Sequence, residues 1–503
     1  MSRLLFFILC FFASFLVSSA QTIERTVSIA ALKDDASRYF YLPFEVPAQT
    51  VSLTLTYEYD RKNGANVLDL GVFDASFGGA ETDLRGFRGW SGGRRDAIFI
   101  AENSATNGYL AGKIPKGKWR VVFGLYKVAP EGVNVAVKIK FNDVPADLLK
   151  EPAAEENQKF ALPDFPKMPA PNDFGGYRWF RGDLHVHTFH SDGVWTIPLI
   201  YEWASRSGLN FVGVTEHNTA SHHAAIERLA PQYKNLLVLR GEEATTYGGH
   251  FNVWGLPAGE VVDFRVAPRD AKRLRKIVDG VHQLGLLASI NHPFAPCGGC
   301  GWSYGDWQTM DAVEIWNGAW DFSDEAALKK WDEVLTSGGK IAAIGSSDSH
   351  APPFATNKTG GALGSPTVRA AMKNLTQKDL LEAIRARRVW LAAALNDYNL
   401  EFSADGGGKK FYIGETAQIS GKEIELRVKT ENFPAGAIVS IISNNQKVFS
   451  KPTEVNADAF AQKFGIERAA YFRVEIRDAT GKMLALTNPI FVKTEVAAGK
   501  RRN

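Results

Sequence analysis

All ten histidines of this chain lie between His185 and His350, interleaved with aspartate and glutamate. Neutral imidazole nitrogens and carboxylate oxygens are the usual donors to zinc and related ions, so the chemistry first suggested is metal ligation. The opening pair, in Arg181-Gly-Asp-Leu-His185-Val-His187-Thr, has i, i+2 spacing. On a strand that spacing turns both rings to one face. The remaining candidates stand where short apolar runs end: Asp192, Glu216-His217, Glu242-Glu243, His250, Asn291-His292, Glu314 and Asn317, then Asp348 and His350.

A single histidine is more often a satisfied core or surface residue than a ligand. This many together are hard to explain without metal. The donors exceed what one four-coordinate ion can use, which points to two or three ions sharing a bridging carboxylate. The set contains no thiolate and suits zinc, manganese or iron rather than calcium. His190, His222, His223 and His282 fall off the pattern. Glu216 points away from the ligand face if His217 is a ligand, and is read as a supporting residue.

The elements that must position these groups are short apolar strands alternating with helices between 181 and 397. Strands are expected at 184–187, 211–215, 236–239, 251–254, 287–290, 312–315 and 341–344, and helices at 198–207, 221–229, 268–284, 325–335 and 377–388. Such alternation implies parallel strands with crossover helices, most economically a closed barrel with its functional groups at the strand ends.

Flanking regions read differently. Val51, Leu53, Leu55, Tyr57 and Tyr59 alternate with polar residues, as do Val133, Val135, Val137, Ile139 and Phe141. Period two with glycine-rich turns implies an antiparallel sandwich. Trp90, Trp119 and Tyr126 there could form a sugar-stacking platform, but aromatics in a sandwich are more often core, and the core reading is preferred. A second, smaller sandwich is expected near the C-terminus, from Ile424, Leu426, Val428 and Phe472, Val474, Ile476. The expected division is a signal peptide over 1–20, an N-terminal sandwich over 21–144, a proline-rich connector over 145–178 that separates it from the chemistry, the barrel over 179–397, a C-terminal sandwich over 398–495 and a disordered tail over 496–503.

At 503 residues the chain is too long for one ordinary core, and its net charge of +3 gives no reason to expect nucleic acid as a partner. The apolar stretch from Leu4 to Val17, followed by Ser18-Ser19-Ala20, reads as a secretory signal cleaved near Ala20. Export to the periplasm or the extracellular space, with no membrane span after cleavage, is the expectation. In an oxidising compartment Cys297-Gly-Gly-Cys300 reads as a small disulfide loop.

The runs His185-Val-His187-Thr-Phe-His-Ser-Asp192-Gly, Thr215-Glu-His217-Asn, Gly241-Glu-Glu243, Gly249-His250-Phe-Asn, Asn291-His292-Pro and Gly345-Ser-Ser-Asp348-Ser-His350 resemble the PHP (polymerase and histidinol phosphatase) metal-dependent hydrolases. Within that superfamily the likeness is greatest to the carbaryl-hydrolase-like branch. The resemblance implies a distorted (β/α)7 PHP barrel with up to three metals, within a chain whose length and patterning already make it multidomain. It implies that His185, His187, Glu243 and Asp348 hold one ion, with Glu243 bridging. Glu243, His250 and His292 would hold a second, and Asp192, His217 and His350 a third. Glu242 could compete for the bridging role, and Glu216 stands where many members carry aspartate.

No Gly-x-Ser-x-Gly elbow is placed to serve as a nucleophile, which leaves water. The expected activity is phosphoester hydrolysis, mono- or diester, by a metal-bridging hydroxide. The expected substrate is a small-molecule or a glycan- or lipid-linked phosphoester. Glu243, His292, Arg181 and His190 are the residues expected to act on it: Arg181, with Arg369 or Lys358, as a phosphate clamp and His190 as proton donor. A carbamate or carboxyl ester hydrolase is the alternative, with Trp302, Trp307, Trp316 and Trp320 as an apolar pocket. A catalytically inactive binding protein is a third reading.

Overall fold

The computed structural model describes residues 21–32, 37–80, 82–150, 162–165, 173–174, 176–355, 360–454 and 457–494. The expected signal peptide, most of the expected connector, the C-terminal tail and Lys358 lie outside the described residues.

The N-terminal region forms two four-stranded antiparallel sheets. One runs Thr22–Ile29, Val133–Phe141, Ser52–Tyr59, Ala97–Ala101, and the other Tyr39–Val46, Gly117–Lys127, Val67–Phe73, Phe87–Gly92. Alternation decides which side faces in. Along Val133–Phe141, Val133, Val135, Val137, Ile139 and Phe141 are buried, while Asn134, Ala136 and Lys138 are exposed. Leu55 and Val135 from the first sheet share one core with Leu70 and Phe123 from the second. Each such side chain contributes about 1.5–3 kcal/mol when fully buried.

The large central sheet is mixed rather than parallel. Its order begins Ala342–Ser346, Ala312–Asn317, Leu287–Ile290, Gly249–Trp254, Leu237–Thr246, Phe211–His217, Tyr177–Val186, Thr367–Met372, Val389–Ala392. Strand Gly249–Trp254 runs antiparallel to both neighbours, because Tyr247-Gly248 makes a two-residue hairpin between Thr246 and Gly249. The expectation of parallel strands throughout is corrected at this point. The sheet also curls back on itself. Ser349, just past the edge strand, bridges Val186 and accepts from the His187 N–H at 3.0 Å.

Helices fall where amphipathic spacing placed them: Ile197–Ser207, His223–Leu229, Ala271–Gln283, Phe322–Thr336 and Gln377–Arg385. Thr196 caps the first by accepting from the Leu199 N–H, and Gly208 ends it at φ +82°. Asp321 and Asp324 close a capping box on the fourth. Among the described residues no helix is long and apolar enough to cross a membrane.

Two boundaries differ from expectation. The C-terminal strands are not a separate layer, because Met483–Thr487 pairs with Val389–Ala392 and so extends the central sheet. A separate four-stranded sheet containing Asn399–Gly406 and Glu423–Glu431 packs against it. The N-terminal sheets, expected to stand apart, share a core with the central region, where Trp90 meets Phe264 at 4.9 Å between ring centroids.

Candidate metal centre

Strand Tyr177–Val186 delivers the first donors. Asp183, His185 and His187 alternate onto one face, and all three are fully buried. Asp183 accepts from the backbone N–H of Ser347 at 3.1 Å and of Gly364 at 2.7 Å, which ties the start of the cluster to its last segment. Asp348 follows at φ +51°, and His292 sits at φ +25°. Such backbone is uncommon for residues with a side chain and persists where the surroundings over-determine it.

The decisive feature is a set of buried polar atoms without partners. Among the described residues, His185 Nε2, His187 Nε2, Glu243 Oε2 and Asp348 Oδ1 are buried and make no hydrogen bond of good geometry. They converge: His185 Nε2 is 3.4 Å from both Glu243 Oε2 and Asp348 Oδ1. His187 Nε2 is 3.5 Å from Glu243 Oε2 and 3.1 Å from Asp348 Oδ1. A tetrahedral ion about 2.0–2.1 Å from each donor requires donor–donor edges of about 3.4 Å. Leaving four such atoms orphaned would cost several kcal/mol by the usual order of magnitude for desolvated polar groups. Donor atoms of His185, His187 and Glu243, and those of His185, His292 and Asp348, lie close enough together in threes to hold an ion, so the residues present fit a divalent ion.

Glu243 faces two sets of rings. Its Oε2 lies 2.8 Å from His217 Nδ1, while Oε1 lies 3.1 Å from His250 Nδ1 and 3.1 Å from His292 Nε2. That arrangement is what a bridging carboxylate requires. At the open end, Asp192 Oδ1 is 3.4 Å from His217 Nε2 and 3.3 Å from His350 Nε2. His187 stacks between the His217 and His350 rings, each 4.2 Å away. Donor atoms of His187, Asp192, His217 and His350 all lie close enough to one another to hold an ion.

Charge follows geometry. Burial would suppress protonation of His217 and His350, but Asp192 together with Glu243 at His217 and with Asp348 at His350 outweighs it, raising His217 to about 9 and His350 to about 10. His187, buried and flanked by those two rings, falls to about 3. Burial opposes ionisation of Glu243 and Asp348, yet His185 and its neighbours hold both well below the usual carboxylate range. Protonated imidazoles thus balance the carboxylates here, and a divalent ion would take their place.

The supporting contacts are as specific as the donors. Glu314 Oε1 lies 2.9 Å from His185 Nδ1, and its Oε2 accepts from the His292 N–H and from Asn317 Nδ2. Asn291 Nδ2 donates to Glu243 Oε1 at 2.8 Å. Glu216 accepts from the Thr188 N–H and from the hydroxyls of Thr188 and Ser191. Glu242 accepts from the Val262 N–H, outside the donor cluster.

Other expectations are corrected. Arg181 is not among the residues lining the cavity over the donors. It lies four residues before His185 on the same strand, about 13 Å back along it, and pairs in register with Arg369. Arg369 is spent on Asn396. His190 lies outside the lining too, with Nδ1 2.8 Å from Ser221 Oγ. Trp302, Trp307, Trp316 and Trp320 pack with the central core and do not line the cavity. Trp119 is core, as preferred, but Trp90 and Tyr126 line the cavity. Asp183 was missed by sequence reasoning, although its i−2 relation to His185 placed it on the ligand face.

No protein-family model matches this chain. An uncharacterized protein of Methanocaldococcus jannaschii is 26% identical over 149 residues, 27% of this chain and 81% of its own length. A two-domain protein of Bacteroides vulgatus containing a predicted PHP-like metal-dependent phosphoesterase is similar over 66% of this chain and 100% of its own. Its identity is 16% and its TM-score 0.38. A β-glucosidase of Kluyveromyces marxianus in complex with glucose covers 90% of this chain and 45% of its own, with 8% identity and a TM-score of 0.15. TM-scores this low carry no argument, and the case for metal rests on the side chains.

The cavity itself measures about 790 Å³ and has two walls. His217, Glu243, His250, His292, Asp348 and His350 form its floor, and the Cys297–Cys300 loop, joined by a disulfide, forms part of one side. Residues of the N-terminal sheets also line the cavity.

Proposed function

We propose that this chain is an exported metal-dependent phosphoesterase of the PHP superfamily, its central sheet serving as the distorted barrel and the flanking sheets as sandwiches around it. The observation that carries the reading is the convergence of His185 Nε2, His187 Nε2, Glu243 Oε2 and Asp348 Oδ1, all buried and unpartnered, beneath an open cavity. His185, His187, Glu243 and Asp348 would hold one divalent ion, Glu243 with His250 and His292 a second, and Asp192 with His217 and His350 a third. Bound zinc, manganese or iron would lower the pKa of water into the neutral range and draw charge from phosphoryl oxygens.

The chain's own residues do the rest. Glu314 holds the His185 ring so that Nε2 faces the donors. Glu243, fixed by Asn291, spans two ring sets without moving. His190 does not line the cavity, so proton transfer to a departing alcohol is assigned to solvent there. Trp302, Trp307, Trp316 and Trp320, expected to give the carbamate or carboxyl ester alternative its apolar pocket, do not line the cavity; Trp90, Tyr126 and Tyr247 do, and the substrate panel below separates the two chemistries.

The test is hydrolysis of p-nitrophenyl phosphate, bis-p-nitrophenyl phosphate and a naphthyl carbamate by the full chain with manganese or zinc. Cleavage of a phosphoester that chelator abolishes and metal restores is expected; cleavage of the carbamate alone contradicts the reading.

A further inference from the structure

The N-terminal sheets reach the cavity at a specific place. Asp69 and Val67 on one strand, Trp90 to Gly92 on the next, then Gly93 and Arg94, and Tyr126 all line it. The contact is bonded: Tyr247, at the hairpin turn of the metal-bearing strands, donates from its hydroxyl to Asp69 Oδ2 at 2.6 Å. Tyr126 donates to the Gly298 carbonyl in the disulfide loop at 2.8 Å. Gly124 cannot be larger, since a Cβ there would stand 2.1 Å from the Tyr247 hydroxyl.

This wall offers flat apolar faces and one carboxylate. Trp90, Tyr126 and Tyr247 supply the faces. Asp69 Oδ1 accepts no hydrogen bond from the described residues, and Gly92 and Gly93 leave it open: a Cβ on either would lie 3.8 or 3.7 Å away. Two classes of ligand fit poorly. A second anion would meet Asp69. A cation would meet Arg94 on the same wall, with the Arg38 guanidinium already 6.0 Å from the Tyr247 ring centroid. An uncharged group with an apolar face and hydroxyls satisfies both constraints, stacking on the rings while a hydroxyl donates to Asp69.

Resting on the phosphoesterase reading above, we infer that the N-terminal sheets form the leaving-group subsite of the metal centre and select phosphoesters of a neutral, hydroxylated ring such as a sugar, with Asp69 as the specificity-determining residue. The flanking region is then part of the active site rather than a brace.

The full chain loaded with manganese provides the test. kcat/KM is measured for an aldohexose 1-phosphate, phosphoethanolamine, pyrophosphate and p-nitrophenyl phosphate in the wild type and in Asp69→Ala. The hexose ester is expected to exceed the amine and pyrophosphate, and Asp69→Ala to lower the ratio of hexose ester to p-nitrophenyl ester about tenfold. Asp69→Asn keeps the side-chain volume and is expected to lower that ratio less, which guards against misfolding of the alanine variant. An unchanged ratio in both variants, or a preference for phosphoethanolamine that Asp69→Ala removes, overturns the inference. Saturation-transfer NMR with the free hexose gives a readout without turnover: contact in the wild type that weakens in Asp69→Ala supports the subsite, and no contact in the wild type overturns it. Hexose contact in a wild type that hydrolyses none of the esters would leave the subsite standing and remove the phosphoesterase reading.

Discussion

Glu314 Oε1 stands 2.9 Å from His185 Nδ1, and both side chains are sealed from solvent. A carboxylate on that nitrogen keeps the proton there and turns the Nε2 lone pair toward Glu243 and Asp348. The same glutamate accepts from the His292 backbone, so one residue orients parts of two ligand sets.

Glu314→Gln preserves shape but can present an N–H where His185 needs an acceptor. Metal affinity is expected to fall about 10–100-fold, the usual effect of losing a contact that orients a ligand. Competition with a chromogenic chelator reads this directly, and an affinity within twofold of wild type would contradict the assigned role.

Arg95 reaches from the N-terminal region to the segment that carries Asp192. It donates to the Ser191 carbonyl at 3.1 Å and to the Phe189 carbonyl at 2.6 Å. Arg95→Ala is expected to lose the ion held by Asp192, His217 and His350, and to cost about 1–3 kcal/mol of stability by leaving buried acceptors unpaired. Elemental analysis showing a full metal complement in a folded Arg95→Ala chain would refute this.

The metal-free chain should lose stability with rising pH in a way the loaded chain does not. His217 at about 9 and His350 at about 10 are raised above the ordinary imidazole value, chiefly by Asp192 against the opposing effect of burial. Raised values contribute stability that is complete below about pH 6.5 and is lost as pH climbs through 9 to 10. Ion binding substitutes for those protons. Thermal midpoints from pH 6.5 to 10, with chelator and with manganese, should therefore diverge as pH rises; parallel curves would argue against protonated histidines in the cluster.

The donors were legible because motif and spacing are local. His185 and His187 follow from period two on a strand, and His217, Glu243, His250, His292, Asp348 and His350 from their positions after apolar runs. Direction was not legible. Arg240, Glu242 and Glu243 interrupt the apolar pattern of Leu237–Thr246, so the pattern stops at Leu239 and hides the Tyr247-Gly248 hairpin. Arg181 was misplaced for a related reason, since its strand begins at Tyr177 and carries it well below the rim. The second wall of the cavity could not be read at all. Asp69 and Tyr247 are 178 positions apart, and neither lies in a pattern that names the other.

The most direct test of the central claim is the metal content of the full chain purified without chelator, measured beside that of His187→Ala. His187 sits between two donor groups, with Nε2 3.1 Å from Asp348 Oδ1 and its ring stacked on His217 and His350. Two or three divalent ions per wild-type chain, and at least one fewer in a folded His187→Ala, is the predicted result. Less than one ion per wild-type chain, or an undiminished complement in the variant, would contradict it.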